Sequence, residues 1–99
     1  MMWRHGDVLI AAVEAIPAGA RILPHCVLAE GELTGHCHRI EGAGVAELFE
    51  VGGERFLRVE AESARLVHEE HRTITLPRGL YRIWQQREYT PRAIVTVRD

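Results

Sequence analysis

The chain has no lysine and no asparagine, and its twelve basic side chains other than histidine are all arginine. Beside abundant Ala, Glu and Gly, this absence reads as the coding bias of a GC-rich genome before it reads as selection for arginine as a phosphate ligand. Long apolar runs are missing too: none approaches the ~20 residues of a membrane-spanning helix. The opening Met1-Met2-Trp3-Arg4-His5-Gly6-Asp7 lacks the apolar stretch of a signal peptide. These two absences lead to the expectation of a cytoplasmic protein with no membrane partner. Cys26 and Cys37 are too few for a disulfide scaffold, and a reducing compartment keeps them as thiols. Helical periodicity is the last absence. No window longer than about two turns carries an apolar stripe repeating every ~3.6 residues.

What is present instead is a series of short β-branched and alternating runs separated by Gly and Pro. Asp7 to Val13, Cys26 to Glu30, His36 to Glu41, Val45 to Val51, Glu54 to Glu60, Ala64 to His68, Thr73 to Leu76, Leu80 to Arg87 and Ala93 to Val97 all read as strands. Gly52-Gly53 is expected to make a two-residue hairpin turn, because both residues tolerate positive φ. Ile16-Pro17-Ala18-Gly19 and Leu76-Pro77-Arg78-Gly79 read as turns, with proline presetting φ and glycine closing. Between Glu54 and Glu60 the alternation is mixed and does not settle which face is buried. With 99 residues, 46 % of them hydrophobic, and a net charge of -2, the chain is expected to form one globular β-domain over residues 1–99. Its architecture should be an all-β barrel or sandwich, cupin-like or β-clip-like, of about seven to nine short strands. A domain this small is often supplemented by a metal or by a second copy, so a homo-oligomer covering an exposed edge strand belongs to the expectation.

Histidine carries the chemistry. Four of the six histidines fall in two runs, Gly35-His36-Cys37-His38-Arg39 and His68-Glu69-Glu70-His71. On a strand His36 and His38 share one face while Cys37 points to the other. His68 and His71 would lie on opposite faces of a strand, but converge if Glu69 and Glu70 form a turn. Neutral imidazoles with an adjoining carboxylate suit a divalent transition metal such as Zn, Fe, Ni or Mn. His36, His38, His68 and His71 are therefore the expected metal ligands. His5 and His25, each isolated near a loop, are not counted among them. Glu69 and Glu70, with Glu41 behind them, are candidates for proton transfer should the site be catalytic.

From Arg72 to Asp99 six arginines face only Glu88 and Asp99, so the C-terminal third is locally basic and admits a small anionic substrate. Arg87 or Gln86 is a candidate clamp for it, since a guanidinium fork matches carboxylate and phosphate. Tyr81-Arg82-Ile83-Trp84-Gln85-Gln86-Arg87-Glu88-Tyr89 also has the composition of a nucleic-acid surface. Strand alternation, however, places Tyr81 and Ile83 on one face, as in ordinary core packing. Three functions stay open: a metal-dependent enzyme, a metal-binding module without turnover, and a metal-independent phosphodiester-cleaving or nucleic-acid-binding protein.

A cupin carries its metal on a glycine, an H-x-H pair and a glutamate at fixed spacing. Here Gly31 stands one residue too near His36, and Glu41 one residue too near His38. The likeness is thus architectural only. Along most of its length the chain more closely resembles a family of small uncharacterised bacterial and phage-associated proteins. The resemblance rests on Gly6 to Ile10, Gly31 to Arg39, His68 to His71, Leu76 to Tyr81 and Gln86 to Pro91. It implies that these segments form one unit, and it implies no activity.

Overall fold

A computed structural model describes residues 1–30, 36–89 and 94–96 of the chain. Among them it has ten strands and no helix, hence none long and apolar enough to cross a membrane. In chain order these are β1 (Met2–His5), β2 (Val8–Ala12), β3 (Arg21–Ile22), β4 (Val27–Glu30) and β5 (Cys37–Ile40). They continue with β6 (Ala46–Val51), β7 (Glu54–Val67), β8 (Ile74–Gln85), β9 (Arg87–Tyr89) and β10 (Ile94–Thr96). Eight strands share one antiparallel sheet in the order β1-β2-β8-β7-β5-β4, with β6 also on β7 and β3 on β6, while β9 and β10 pair with each other. The all-β expectation holds. The sheet does not close into a barrel, and the arrangement is compatible with the sandwich.

Two strands set the shape, and both are longer than the sequence pattern suggested. Glu54–Glu60 and Ala64–His68, expected as separate strands, belong to the 14-residue β7; Thr73–Leu76 and Leu80–Arg87 largely merge into the 12-residue β8. Leu76-Pro77-Arg78-Gly79 is accordingly not a turn. It faces a bulge, because the pairing jumps from Val59↔Gly79 to Ser63↔Pro77, setting three residues of β7 against one of β8. Arg78 Nε donates to the carbonyls of Glu60 (3.0 Å) and Ala61 (3.3 Å), so a side chain satisfies the acceptors that the ladder leaves over. Proline is tolerated at such an irregularity because a missing N–H breaks no regular ladder there.

The bulge also changes which residues face inward. Before it Leu57 and Val59 are buried, and after it Ala64 and Leu66, so the buried parity moves from odd to even. On β8 the same change separates Leu76 from Tyr81 and Ile83. Phe56 and Leu57 are both buried, at 5 % and 0 % exposure, although neighbours on a strand point oppositely. The mixed pattern from Glu54 to Glu60 therefore reflects a stretch whose even-numbered face is exposed except at Phe56. Val8, Ile10, Leu48, Leu57, Leu66 and Leu76 form the fully buried centre. Tyr81 and Ile83 join it as expected, while Arg82 turns outward onto the Trp84 ring (5.2 Å) and pairs with Glu54 (2.7 Å).

Where the pattern was local, sequence and structure agree. Val51↔Glu54 pairing closes a hairpin over Gly52 (φ 58°) and Gly53 (φ 78°), both in the region that favours glycine. Gly6 (φ 65°) opens the corresponding two-residue turn between β1 and β2, closed by the pair His5↔Val8. This second turn places the end of β1 beside β5, four steps away in the sheet order. The sheet is thus curled, and the histidines lie where its two regions meet.

Candidate metal centre

His38 occupies the inward face of β5, two residues before the buried Ile40. Ile40 pairs with Leu66 and Arg39 with Val67, so one further step along the ladder sets His38 beside His68, with ring centroids 4.4 Å apart. Past His68 the chain bends through Glu69 and Glu70, and His71 returns to within 4.5 Å of the His68 ring and 5.5 Å of His38. His36, just ahead of β5, has its ring 5.7 Å from His68. The turn postulated from the H-E-E-H spacing is what joins His68 to His71.

The four histidines named from sequence fall into two groups by the distances between their ligand atoms. Ligand atoms of His38, His68 and His71 all lie within 4.8 Å of one another, and those of His36, His68 and Glu69 form a second such group sharing His68. The first is the better enclosed, since His38 is only 4 % exposed. Burial, followed by the neighbouring His68, His5 and His71 rings, pushes the His38 pKa down to about 3. The pKa of His68 is lowered as well, by burial and then by His71. Both rings are neutral at pH 7, the form that offers a lone pair to a metal.

His5, set aside in the sequence reading, is buried at 2 % exposure in the middle of the cluster. Its Nε2 lies 2.9 Å from the Arg72 carbonyl, which can only accept, so Nε2 carries a hydrogen. In a neutral imidazole Nδ1 is then the acceptor. It lies 2.8 Å from His38 Nδ1, which must donate. With His5 neutral, His38 keeps its lone pair on Nε2, and His5 takes the role that a carboxylate or carbonyl plays behind many metal-binding histidines. At His68 the constraint runs the other way. Its Nδ1 accepts the Glu70 amide (2.9 Å), so coordination through either ring nitrogen of the neutral side chain would open that bond.

Gly6 forms the floor. A Cβ there would stand 2.8 Å from His71 Nε2 and 2.9 Å from His38 Cε1, leaving no room for any other residue. The adjoining Asp7 presents Oδ1 at 3.6 Å from His38 Nε2, while its Oδ2 accepts from Gln85 Nε2 (3.1 Å). His5, Gly6 and Asp7 were missed in the sequence, although a Gly-Asp pair ahead of Val8-Leu9-Ile10 is itself a hairpin signal.

The structure engages the two candidate proton-transfer groups differently. Glu69 accepts the Cys37 amide on Oε1 (3.2 Å) and Arg39 on Oε2 (3.2 Å), and backbone amides, its own first, hold its carboxyl below the usual range. Glu70 is exposed with Oε1 3.4 Å from His36 Nδ1, and Glu41 pairs with Arg65 away from the rings. The side chain of Arg87 lies outside the described residues. The backbone N–H of Gln86 donates to the Asp7 carbonyl (2.8 Å). His25 is exposed and accepts the Val27 amide (3.1 Å).

A family model described as Domain of unknown function (DUF8820) matches residues 4–86. The chain belongs to that family. The DUF8820 span begins just before His5, contains every histidine of the cluster, and ends at Gln86, one residue past β8. An uncharacterised family is what the resemblance implied. No curated protein and no solved structure matches the chain.

Proposed function

We propose that this β-domain binds a divalent transition metal through His38, His68 and His71. The observation that carries the reading is the mutual approach of their three ligand atoms within 4.8 Å, contributed by β5 and by the β7–β8 connection. Support comes from the neutrality imposed by burial, and from a buried His5 that fixes the donor nitrogen of His38. Three imidazoles with modest enclosure suit Zn, Mn, Fe or Ni. The proposal is one of binding rather than turnover, because Glu69 has both carboxylate oxygens engaged and Glu70 is turned to His36. A cytoplasmic location goes with it, where the free thiols Cys26 and Cys37 stay reduced.

The test is metal analysis of untagged protein after incubation with Zn, Mn, Fe and Ni, alongside His38→Ala and His71→Ala variants and their combination. Wild type is expected to retain about one equivalent, with the Glu70 amide exchanging faster once metal is bound. Retention no greater than in the double variant would exclude the site.

A further inference from the structure

We propose that Asp7 is a fourth, anionic ligand of the same centre, resting on the metal-binding reading above and extending it to a three-histidine, one-carboxylate site. The argument begins with a contact that lacks a proton. With His5 neutral, the chain from the Arg72 carbonyl through His5 to His38 Nδ1 leaves His38 Nε2 with a lone pair, and that nitrogen faces Asp7 Oδ1 at 3.6 Å. Two electron-pair donors thus face each other. The separation exceeds the ~2.7–3.2 Å of an N–H···O hydrogen bond. It lies close to the ~3.4 Å that separates two ligands placed about 2.1 Å from one tetrahedral ion.

Asp7 is also held as a ligand would be. Gln85 Nε2 donates to Oδ2 and leaves Oδ1 toward His38, while the backbone N–H of Gln86 donates to the Asp7 carbonyl, so the end of β8 and the residue after it hold Asp7 at side chain and backbone. The turn that carries it already touches both rings, through Gly6 against His38 and His71. Asp7 stands outside the 4.8 Å set formed by the three imidazoles, so coordination draws this turn slightly inward. Three neutral imidazoles offset none of the charge of a divalent ion. A carboxylate whose side chain is 18 % exposed supplies one negative charge beside the buried His38.

The experiment titrates chelator-treated protein with Zn(II) and Co(II), comparing wild type, Asp7→Asn and His38→Ala. Asparagine keeps the size of the side chain and an oxygen for Gln85. Asp7→Asn should bind at least about tenfold more weakly, the size that losing even an outer partner of a ligand produces, and should change the Co(II) absorption spectrum. If His38→Ala abolishes binding while Asp7→Asn matches wild type in isotherm and spectrum, the metal centre stands and Asp7 is refuted. If wild type binds no better than His38→Ala, both readings fall. A second measurement is independent of any variant's folding: ¹⁵N NMR of the metal-free wild type should find His38 protonated on Nδ1. Protonation on Nε2 would make the Asp7 contact an ordinary hydrogen bond and overturn the proposal.

Discussion

Gly6 shows how closely a single position can be specified. Its φ of 65° is strained for any L side chain, and the space where a Cβ would sit is taken by the edges of His71 and His38. Gly6→Ala is therefore expected to lose roughly 1–2 kcal/mol from backbone strain alone. It should also weaken metal binding by pushing the rings apart. Urea unfolding and Zn titration of the same variant separate the two effects, and unchanged values in both would show that the turn has slack. His5 is the complementary case. Nothing in its local sequence distinguishes it from His25, since both stand alone near a turn. What separates them is a pair of hydrogen bonds to His38 and Arg72, spanning 33 and 67 residues. Asp7 is similar, since its orientation depends on Gln85, 78 residues away.

At the scale of elements, the bulge shared by β7 and β8 organises the sheet. Leu57 and Leu66 both lie at 0 % exposure on β7, although their numbers differ by an odd count, and the bulge is what lets one strand face the core twice. Arg78 bonds the two bulged carbonyls at an exposed position, where water can replace it, whereas Leu66 has no substitute. Arg78→Ala should cost about 1 kcal/mol or less. Leu66→Ala should cost about 2–5 kcal/mol by leaving a cavity beside β5, whose pairing with β7 brings His38 to His68. Chemical denaturation ranks the two, and an Arg78 effect equal to that of Leu66 would mean that the bulge, rather than the core, limits stability. The sequence pattern divided β7 and β8 because proline, glycine and a parity change ordinarily end a strand. Here a long-range partner absorbed them. The Gly52-Gly53 hairpin was legible for the opposite reason, since its turn is set by two adjacent backbones.

For the whole molecule, the neutral imidazoles couple stability to pH. Histidine in the unfolded chain titrates near 6.5, whereas folded His38 is held down to about 3 and His68 is also lowered. Between these values the unfolded state binds more protons, so stability falls as pH drops from about 6.5. His38, neutral when folded and protonated when unfolded between these values, contributes a slope of up to about 1.4 kcal/mol per pH unit, and His68 acts in the same direction. Metal-free protein should accordingly show a lower urea midpoint at pH 5 than at pH 7.5, with a smaller difference in His38→Ala. A midpoint that does not move would mean that the rings are not held neutral. The sequence by itself determined the all-β class, the local hairpin, and the convergence of His68 with His71, because strand alternation and turn spacing follow from backbone geometry over a few residues. Only the tertiary structure decided that His36 and His38 enter different groups, that His5 sets the donor atom of His38, and that Asp7 faces it. Those outcomes depend on the bulge and on how the sheet curls, which bring β1, β5 and the β7–β8 connection together from distant parts of the chain.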